Sequence, residues 1–161
     1  MEDGWRLTGS AVFRASSGPA QLMYSVECDV QWRSRRGTVV GWIGDKMVNH
    51  TIERSPIGEW TLNGAVVSDL HAVVDLDLGF TPATNLLQLR RLDLAVGRAG
   101  DAPAAWLDVE TGTMDLLPQR YARRSETTYW YEAPRFDYTE LLEVTAAGFV
   151  RRYPKLWEAE G

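Results

Sequence analysis

Apolar and polar residues alternate along most of the chain with a period of two, which is the pattern of β-strands that bury one face. The clearest run places apolar residues at every second position from Leu22 to Trp32, with Ser25, Glu27 and Asp29 among the residues between them. Shorter runs of this kind predict strands at 5–14, 38–43, 47–54, 104–109, 127–132 and 149–153.

Turn residues and one helical segment divide these runs. Asn63-Gly64, the dipeptide that most strongly favours a tight β-hairpin, separates two short apolar segments at 60–62 and 65–67. Residues 83–89 have leucines at helical spacing, so we predict a helix there, with Thr81 or Thr84 as its N-cap. The alternation at 92–96 predicts a further strand, 97–103 a loop, and the polar segment 119–124 is the candidate for a second short helix.

These elements together predict a mainly β fold. The count is about ten or eleven strands, and turn signals recur at intervals of roughly 8–12 residues, which favours an antiparallel meander. A sheet with this many strands must twist, curl or close on itself. Since no linker or low-complexity segment interrupts the pattern, we expect residues 1–161 to form one domain, an antiparallel barrel or half-barrel with a small helical insert.

The amino-acid composition argues against several classes of function. The chain has a net charge of -5, which argues against a dedicated nucleic-acid binder, and seven Trp and six Tyr against four Phe, an excess of amphipathic aromatic residues. Cys28 is the single cysteine and lies in an apolar register, so no internal disulfide or cysteine-based zinc site is expected. No leader or transmembrane segment is recognisable, and we expect a cytoplasmic protein without a metal or another cofactor.

Two carboxylates on one predicted strand are the first candidates for chemistry. Asp75 and Asp77 are two residues apart, so on a strand both side chains point to the same face. Such a pair could share a hard cation or serve as acid and base. It could also form ion pairs with Arg90 or Arg91, and this structural or ligand-binding reading is favoured over metal binding and catalysis.

Polar residues after this strand are candidates for reading a ligand head group. Arginine presents a planar fork of donors that suits carboxylate or phosphate, and Asn85 with Arg90 or Arg91 could bind such a group. The basic aromatic segments 120–124 and 151–153 could contact a phosphorylated head group or a membrane surface, but solvated sheet edges are the preferred interpretation. The chain has no phosphate-binding glycine motif and no G-x-S-x-G nucleophile motif.

The segment from Asp75 to Leu92, DLDLGFTPATNLLQLRRL, resembles the signature block of the putative glycolipid-binding family of bacteria. Weaker matches are YSVECDVQW at 24–32, GEW at 58–60, QRY at 119–121 and GFVRRYPKLW at 148–157, so the resemblance spans nearly the whole chain. Gln88 departs from it, because a proline is expected there. The resemblance implies an incomplete antiparallel barrel wrapped around a short helical segment, similar to lipoprotein carriers whose concave apolar face holds acyl chains.

From the residues and the resemblance together we predict non-catalytic binding of a lipid or glycolipid-like amphipathic ligand in the concave face of the sheet. The expected ligand-binding residues are Trp42, Trp60, Asp75, Asp77, Thr84, Asn85, Arg90, Arg91, Gln119 and Tyr121. Two alternatives stay open: a small enzyme acting on an amphipathic ligand with Asp75 and Asp77 as its acid–base pair, and an interaction protein that forms a homodimer through an exposed strand edge.

Overall fold

The computed structural model describes residues 3–159 and is mainly β. The described residues form one α-helix, α1 (Asn85–Leu92), and two 3-10 helices, Pro82–Thr84 and Pro134–Phe136. The strands are β1 (Gly4–Ala15), β2 (Gly18–Asp29), β3 (Ser34–Ile43), β4 (Lys46–Arg54), β5 (Trp60–Leu62), β6 (Ala65–Val67), β7 (Asp75–Asp77), β8 (Ala99–Asp101), β9 (Ala104–Asp108), β10 (Thr113–Leu117), β11 (Arg120–Arg123), β12 (Thr128–Ala133), β13 (Tyr138–Val144), β14 (Val150–Tyr153) and β15 (Trp157–Glu158).

The strands form three curved sheets that do not close into a barrel within the described residues. The N-terminal sheet is a six-stranded antiparallel meander of β1 to β6 in chain order. The C-terminal sheet has the order β15-β14-β13-β12-β11-β8, and a three-stranded central sheet has the order β10-β9-β7. All pairs are antiparallel except β7 with β9, which is parallel. The mainly β, antiparallel, incompletely closed fold predicted from the sequence is therefore confirmed.

The predicted Asn63-Gly64 hairpin is present between β5 and β6. Both turn residues have positive φ, 51° at Asn63 and 82° at Gly64, as a type I′ turn requires. Asn63 Oδ1 also accepts a hydrogen bond from the backbone N–H of Thr51, which ties the turn to β4.

Three local predictions are wrong. Residues 92–96 do not form a strand, because the helix continues to Leu92 and ends at Asp93 in the left-handed conformation. Residues 119–124 are not helical: Arg120–Arg123 is β11, paired with β8 and β12. The expected loop at 97–103 contains β8, which pairs with β11. Residues 99–101 and 120–123 are therefore strands because of pairing that local patterns do not reveal.

Helix α1 lies between two hydrophobic cores. The core of the N-terminal and central sheets is mostly aliphatic and includes Leu87 of the helix, whereas the core of the C-terminal sheet is rich in tyrosine and includes Leu89. Thr81 caps the preceding 3-10 turn by accepting a hydrogen bond from the N–H of Ala83, as predicted. No helix within residues 3–159 combines the length and apolar character needed to span a bilayer.

Candidate ligand-binding site

A cavity of about 580 Å³ lies where the three sheets meet. Its walls come from β1, the segment from β7 to α1, β9, β10 and the C-terminal sheet with its last turn. The lining residues are Phe13, Asp77, Gly79, Phe80, Thr81, Pro82, Asn85, Trp106, Leu117, Tyr131, Ala133, Phe136, Tyr138, Tyr153, Leu156 and Trp157. The cavity is thus mainly aromatic, with very few polar groups.

Packed tyrosines form one wall of the cavity. Tyr131, Tyr138 and Tyr153 contact one another, with ring centroids 5.1–6.0 Å apart. Burial raises the pKa of the Tyr131 and Tyr153 hydroxyls, so both rings stay neutral. On another side Trp106 packs edge-on against Phe136 at 5.2 Å. Such rings offer broad apolar faces with polar tips.

Two polar side chains belong to the buried part of the lining, beside Leu117, Tyr131 and Ala133. Asp77, at the end of β7, is 7% exposed, and Asn85, at the start of α1, is 3% exposed. Among the described residues, Asp77 forms no ion pair with a basic side chain. The cavity therefore combines aromatic walls with a buried carboxylate and a buried amide.

Burial raises the pKa of Asp77 to about 7, because a carboxylate loses its hydration in this site. The Gln88 side chain and the backbone of Gly79 oppose this effect by interacting with the charged form, while the charge of Asp75 adds to it. Asp77 thus gains or loses its proton near neutral pH, unlike an exposed aspartate.

A hydrogen-bond network behind the cavity holds Asn85 in place. Asn85 Nδ2 donates to the Tyr121 hydroxyl at 2.6 Å, and that hydroxyl donates to Gln88 Oε1 at 2.5 Å. Gln88 Nε2 faces Asp77 but makes no hydrogen bond of good geometry with a described residue. Tyr121 is fully buried, so it orients the lining from behind rather than touching the cavity.

Gln119 has a similar supporting place on the C-terminal sheet. Its Oε1 accepts a hydrogen bond of 2.6 Å from the hydroxyl of Tyr131, which does line the cavity. Gln119 is 3% exposed, and its Nε2 has no hydrogen-bond partner within residues 3–159.

Asp75 has a different environment from Asp77. It is fully buried and accepts a bidentate pair from Arg91, with Nε to Oδ1 at 2.8 Å and Nη2 to Oδ2 at 2.7 Å. Burial raises the pKa of the Asp75 carboxyl, and Arg91 and Arg54 oppose that rise. Both predicted residues Asp75 and Arg91 therefore belong to an ion pair that does not line the cavity.

Two further predicted residues also support the fold rather than the cavity. Arg90 donates to the carbonyl oxygen of Ala147 at 2.5 Å, and its guanidinium lies 5.9 Å from the ring centroid of Trp32. Thr84 is buried, and its Oγ1 accepts a hydrogen bond of 3.3 Å from the N–H of Leu78.

The two predicted tryptophans lie away from the cavity. Trp60 is 1% exposed in the aliphatic core and donates from Nε1 to the carbonyl oxygen of Val73 at 2.9 Å. Trp42 is half-buried on β3, on the face opposite Val39 and Ile43, which belong to the core. Of the ten predicted residues, only Asp77 and Asn85 line the cavity directly.

The sequence did not single out the aromatic walls. Tyr131, Tyr138 and Tyr153 come from three different strands, and their convergence depends on the pairing of β12, β13 and β14. The available signal was the excess of Trp and Tyr together with the period-two placement of Tyr129 and Tyr131. That signal indicates amphipathic surface without giving its location.

Comparison with known proteins identifies the family. The model of the family described as "Putative glycolipid-binding" matches residues 1–159, so the chain belongs to this family, as its sequence resemblance indicated. The fold is also that of a crystal structure of a DUF1089 family protein from Pseudomonas aeruginosa. The two share 24% sequence identity with a TM-score of 0.83, and the match covers 98% of this chain and 92% of that one. A search of curated proteins gave no significant match.

Proposed function

We propose that the protein binds a lipid or glycolipid-like amphipathic molecule in the cavity between its three sheets, without chemically changing it. The observation that carries the proposal is the aromatic cavity with Asp77 and Asn85 as its buried polar groups. Sites for small organic ligands are typically apolar clefts of about 300–1,000 Å³ with a few polar groups that fix orientation.

The size and lining of the cavity indicate what part of a ligand it could enclose. About 580 Å³ is room for a head group and a short length of chain, but not for a whole long-chain lipid. Burial of apolar ligand surface against the rings contributes roughly 25 cal/mol per Å². The name of the family, which refers to glycolipid binding, points to the same class of ligand.

The arrangement does not favour the alternative of a paired acid–base enzyme. Asp75 is engaged by both nitrogen donors of the Arg91 fork and has no exposed surface, so it is not available to a substrate. Of the two aspartates Asp77 alone lines the cavity, and within the described part of the chain no second carboxylate belongs to the lining. The expectation of a homodimer stays a prediction, to be checked by light scattering at high protein concentration.

Binding can be tested with octyl β-glucoside below its critical micelle concentration, by isothermal titration calorimetry. We expect saturable binding to the wild type and at least a tenfold loss of affinity for Trp106→Ala, which removes a cavity wall. Trp42→Ala is the matched control, because Trp42 is also half-buried but lies on the outer face.

Two outcomes would contradict the proposal. One is equal loss of affinity in the two variants, which would place the ligand elsewhere or indicate general destabilisation. The other is the absence of binding combined with an apo mass in native mass spectrometry, both after gentle extraction from cells and after titration with lipid extract.

A further inference from the structure

The lining residues of the cavity are sorted by depth. The polar side chains Asp77 and Asn85 are 7% and 3% exposed, and together with the buried Leu117, Tyr131 and Ala133 they form a floor. Leu156, Phe136 and Trp157 line the same cavity but are 68%, 49% and 42% exposed, so they form an apolar rim. The exposed part of the lining is thus apolar, and its carboxyl and amide groups lie in the buried part.

The floor has hydrogen-bonding capacity that no described side chain uses fully. Asp77 interacts with the Gln88 side chain and the backbone of Gly79 but has no basic partner among the described residues. Asn85 uses Nδ2 toward Tyr121, while its Oδ1 accepts no hydrogen bond from a described residue. Both are acceptors, and buried acceptors are stabilised by donors that a ligand brings. Hydroxyl groups meet this requirement, since each one donates a hydrogen bond and can also accept one.

The charges around the cavity disfavour an anionic head group. Among the lining residues within the described range 3–159 none is basic, and Asp77 is the one that carries a carboxyl group, which becomes negative on ionisation. Two cations next to rim residues in sequence form ion pairs: Arg135 with Asp115, and Lys155 with Glu140. The Arg135 guanidinium also lies 5.0 Å from the ring centroid of Trp106. The arginines that could have bound phosphate, Arg90 and Arg91, make contacts away from the cavity.

We propose that the ligand enters head first, with an uncharged, hydroxyl-bearing head group against Asp77 and Asn85 and an apolar tail that leaves past Leu156 and Trp157. This inference rests on the proposed function and adds to it the class of head group and the direction of binding. The site then recognises the head group and tolerates tails of different length, because the tail leaves the cavity at an exposed rim.

The head-group preference can be tested with three amphiphiles that share an octyl tail: octyl β-glucoside, octyl phosphate and octyltrimethylammonium. We expect octyl β-glucoside to bind at least tenfold more tightly than octyl phosphate at pH 8, because ionised Asp77 repels the phosphate. It should also bind more tightly than octyltrimethylammonium, which brings no hydrogen-bond donor to Asp77 or to Asn85 Oδ1. Asp77→Asn keeps a similar side-chain shape without the charge. The difference in affinity between octyl β-glucoside and octyl phosphate should therefore become smaller in this variant. Asp45→Asn, an exposed residue at the turn between β3 and β4, is the control with the same change in net charge and should leave the preference unchanged.

The direction of binding can be tested with an octyl glucoside that carries a nitroxide at the end of its tail. Paramagnetic broadening should be stronger at the indole N–H of Trp157, on the rim, than at the side-chain amide of Asn85, on the floor. Stronger broadening at Asn85 would overturn the head-first direction.

The outcomes separate this inference from the proposed function. Tighter binding of octyl phosphate or octyltrimethylammonium in the cavity would overturn the uncharged head group while leaving amphiphile binding intact. If none of the three amphiphiles binds, the proposed function fails and this inference fails with it.

Discussion

The two ends of β7 show how neighbouring residues of the same type come to have different roles. Asp75 and Asp77 are both buried and only two residues apart. At the first end, Arg91 matches both oxygens of Asp75 and closes the site. At the other end, Asp77 pairs with no basic side chain of residues 3–159 and lies in the wall of a cavity.

This difference separates a structural carboxylate from a candidate ligand contact. A buried charge is tolerated when it is paired and hydrogen-bonded, which is the case for Asp75. A buried carboxyl without a basic partner has a raised pKa and destabilises the ionised form of the protein, a cost that is accepted mainly at functional sites. Substitutions at each end of β7 test this difference.

The largest effect is expected from removing the partner of Asp75. Arg91→Met leaves a fully buried carboxylate without its cation, so the free energy of unfolding should fall by about 3–5 kcal/mol. Urea titration monitored by circular dichroism measures this. Arg120→Met breaks the exposed pair with Asp101 instead and should cost only about 0.2–1 kcal/mol. Equal losses of unfolding free energy in the two variants would mean that the buried Asp75–Arg91 pair stabilises the fold no more than an exposed pair does.

The other end of β7 should determine part of the pH dependence of stability. The pKa of Asp77 is raised to about 7 in the folded protein, above the value of an unfolded aspartate, so the folded state binds the proton more tightly. The carboxyl group of Asp77 therefore stabilises the folded state at low pH, and this stabilisation is lost as the pH rises toward and through 7. Relative to Asp77→Asn, the wild type should lose about 2–3 kcal/mol of unfolding free energy between pH 5 and pH 8. Parallel curves for the two proteins would contradict the unpaired state of Asp77.

A smaller effect is expected from the network that supports the cavity floor. Tyr121→Phe removes a hydroxyl that bonds both Asn85 and Gln88, leaving buried polar atoms without partners, so stability should fall by about 1–3 kcal/mol. Affinity for octyl β-glucoside should also fall, because Asn85 loses its orientation. Tyr129→Phe is the control: that hydroxyl makes no hydrogen bond within residues 3–159, and a change within about 0.5 kcal/mol is expected.

Much of the fold could be predicted because strand periodicity and turn chemistry are local. The run from Leu22 and the Asn63-Gly64 turn specify their elements through side-chain alternation and backbone conformation. The misassigned segments at 92–96 and 119–124 depended instead on pairing with distant strands and on where a helix ends.

The candidate site could be predicted only in part for a related reason. Asp77 and Asn85 lie in one contiguous block, so a short stretch of sequence brought them together. Whether an arginine pairs with Asp75 or with a ligand depends on side-chain geometry that no spacing rule gives. The aromatic wall required the register of β12, β13 and β14.

The central claim, that the cavity between the sheets binds an amphiphile, is tested most directly by following the indole N–H signals of the seven tryptophans by NMR during titration with octyl β-glucoside. Trp106 and Trp157 line the cavity, whereas Trp5, Trp32, Trp42, Trp60 and Trp130 do not. We predict large, saturable shifts for Trp106 and Trp157 and small ones for the other five. Saturable shifts centred on Trp42 or Trp130, with Trp106 unchanged, would contradict the account.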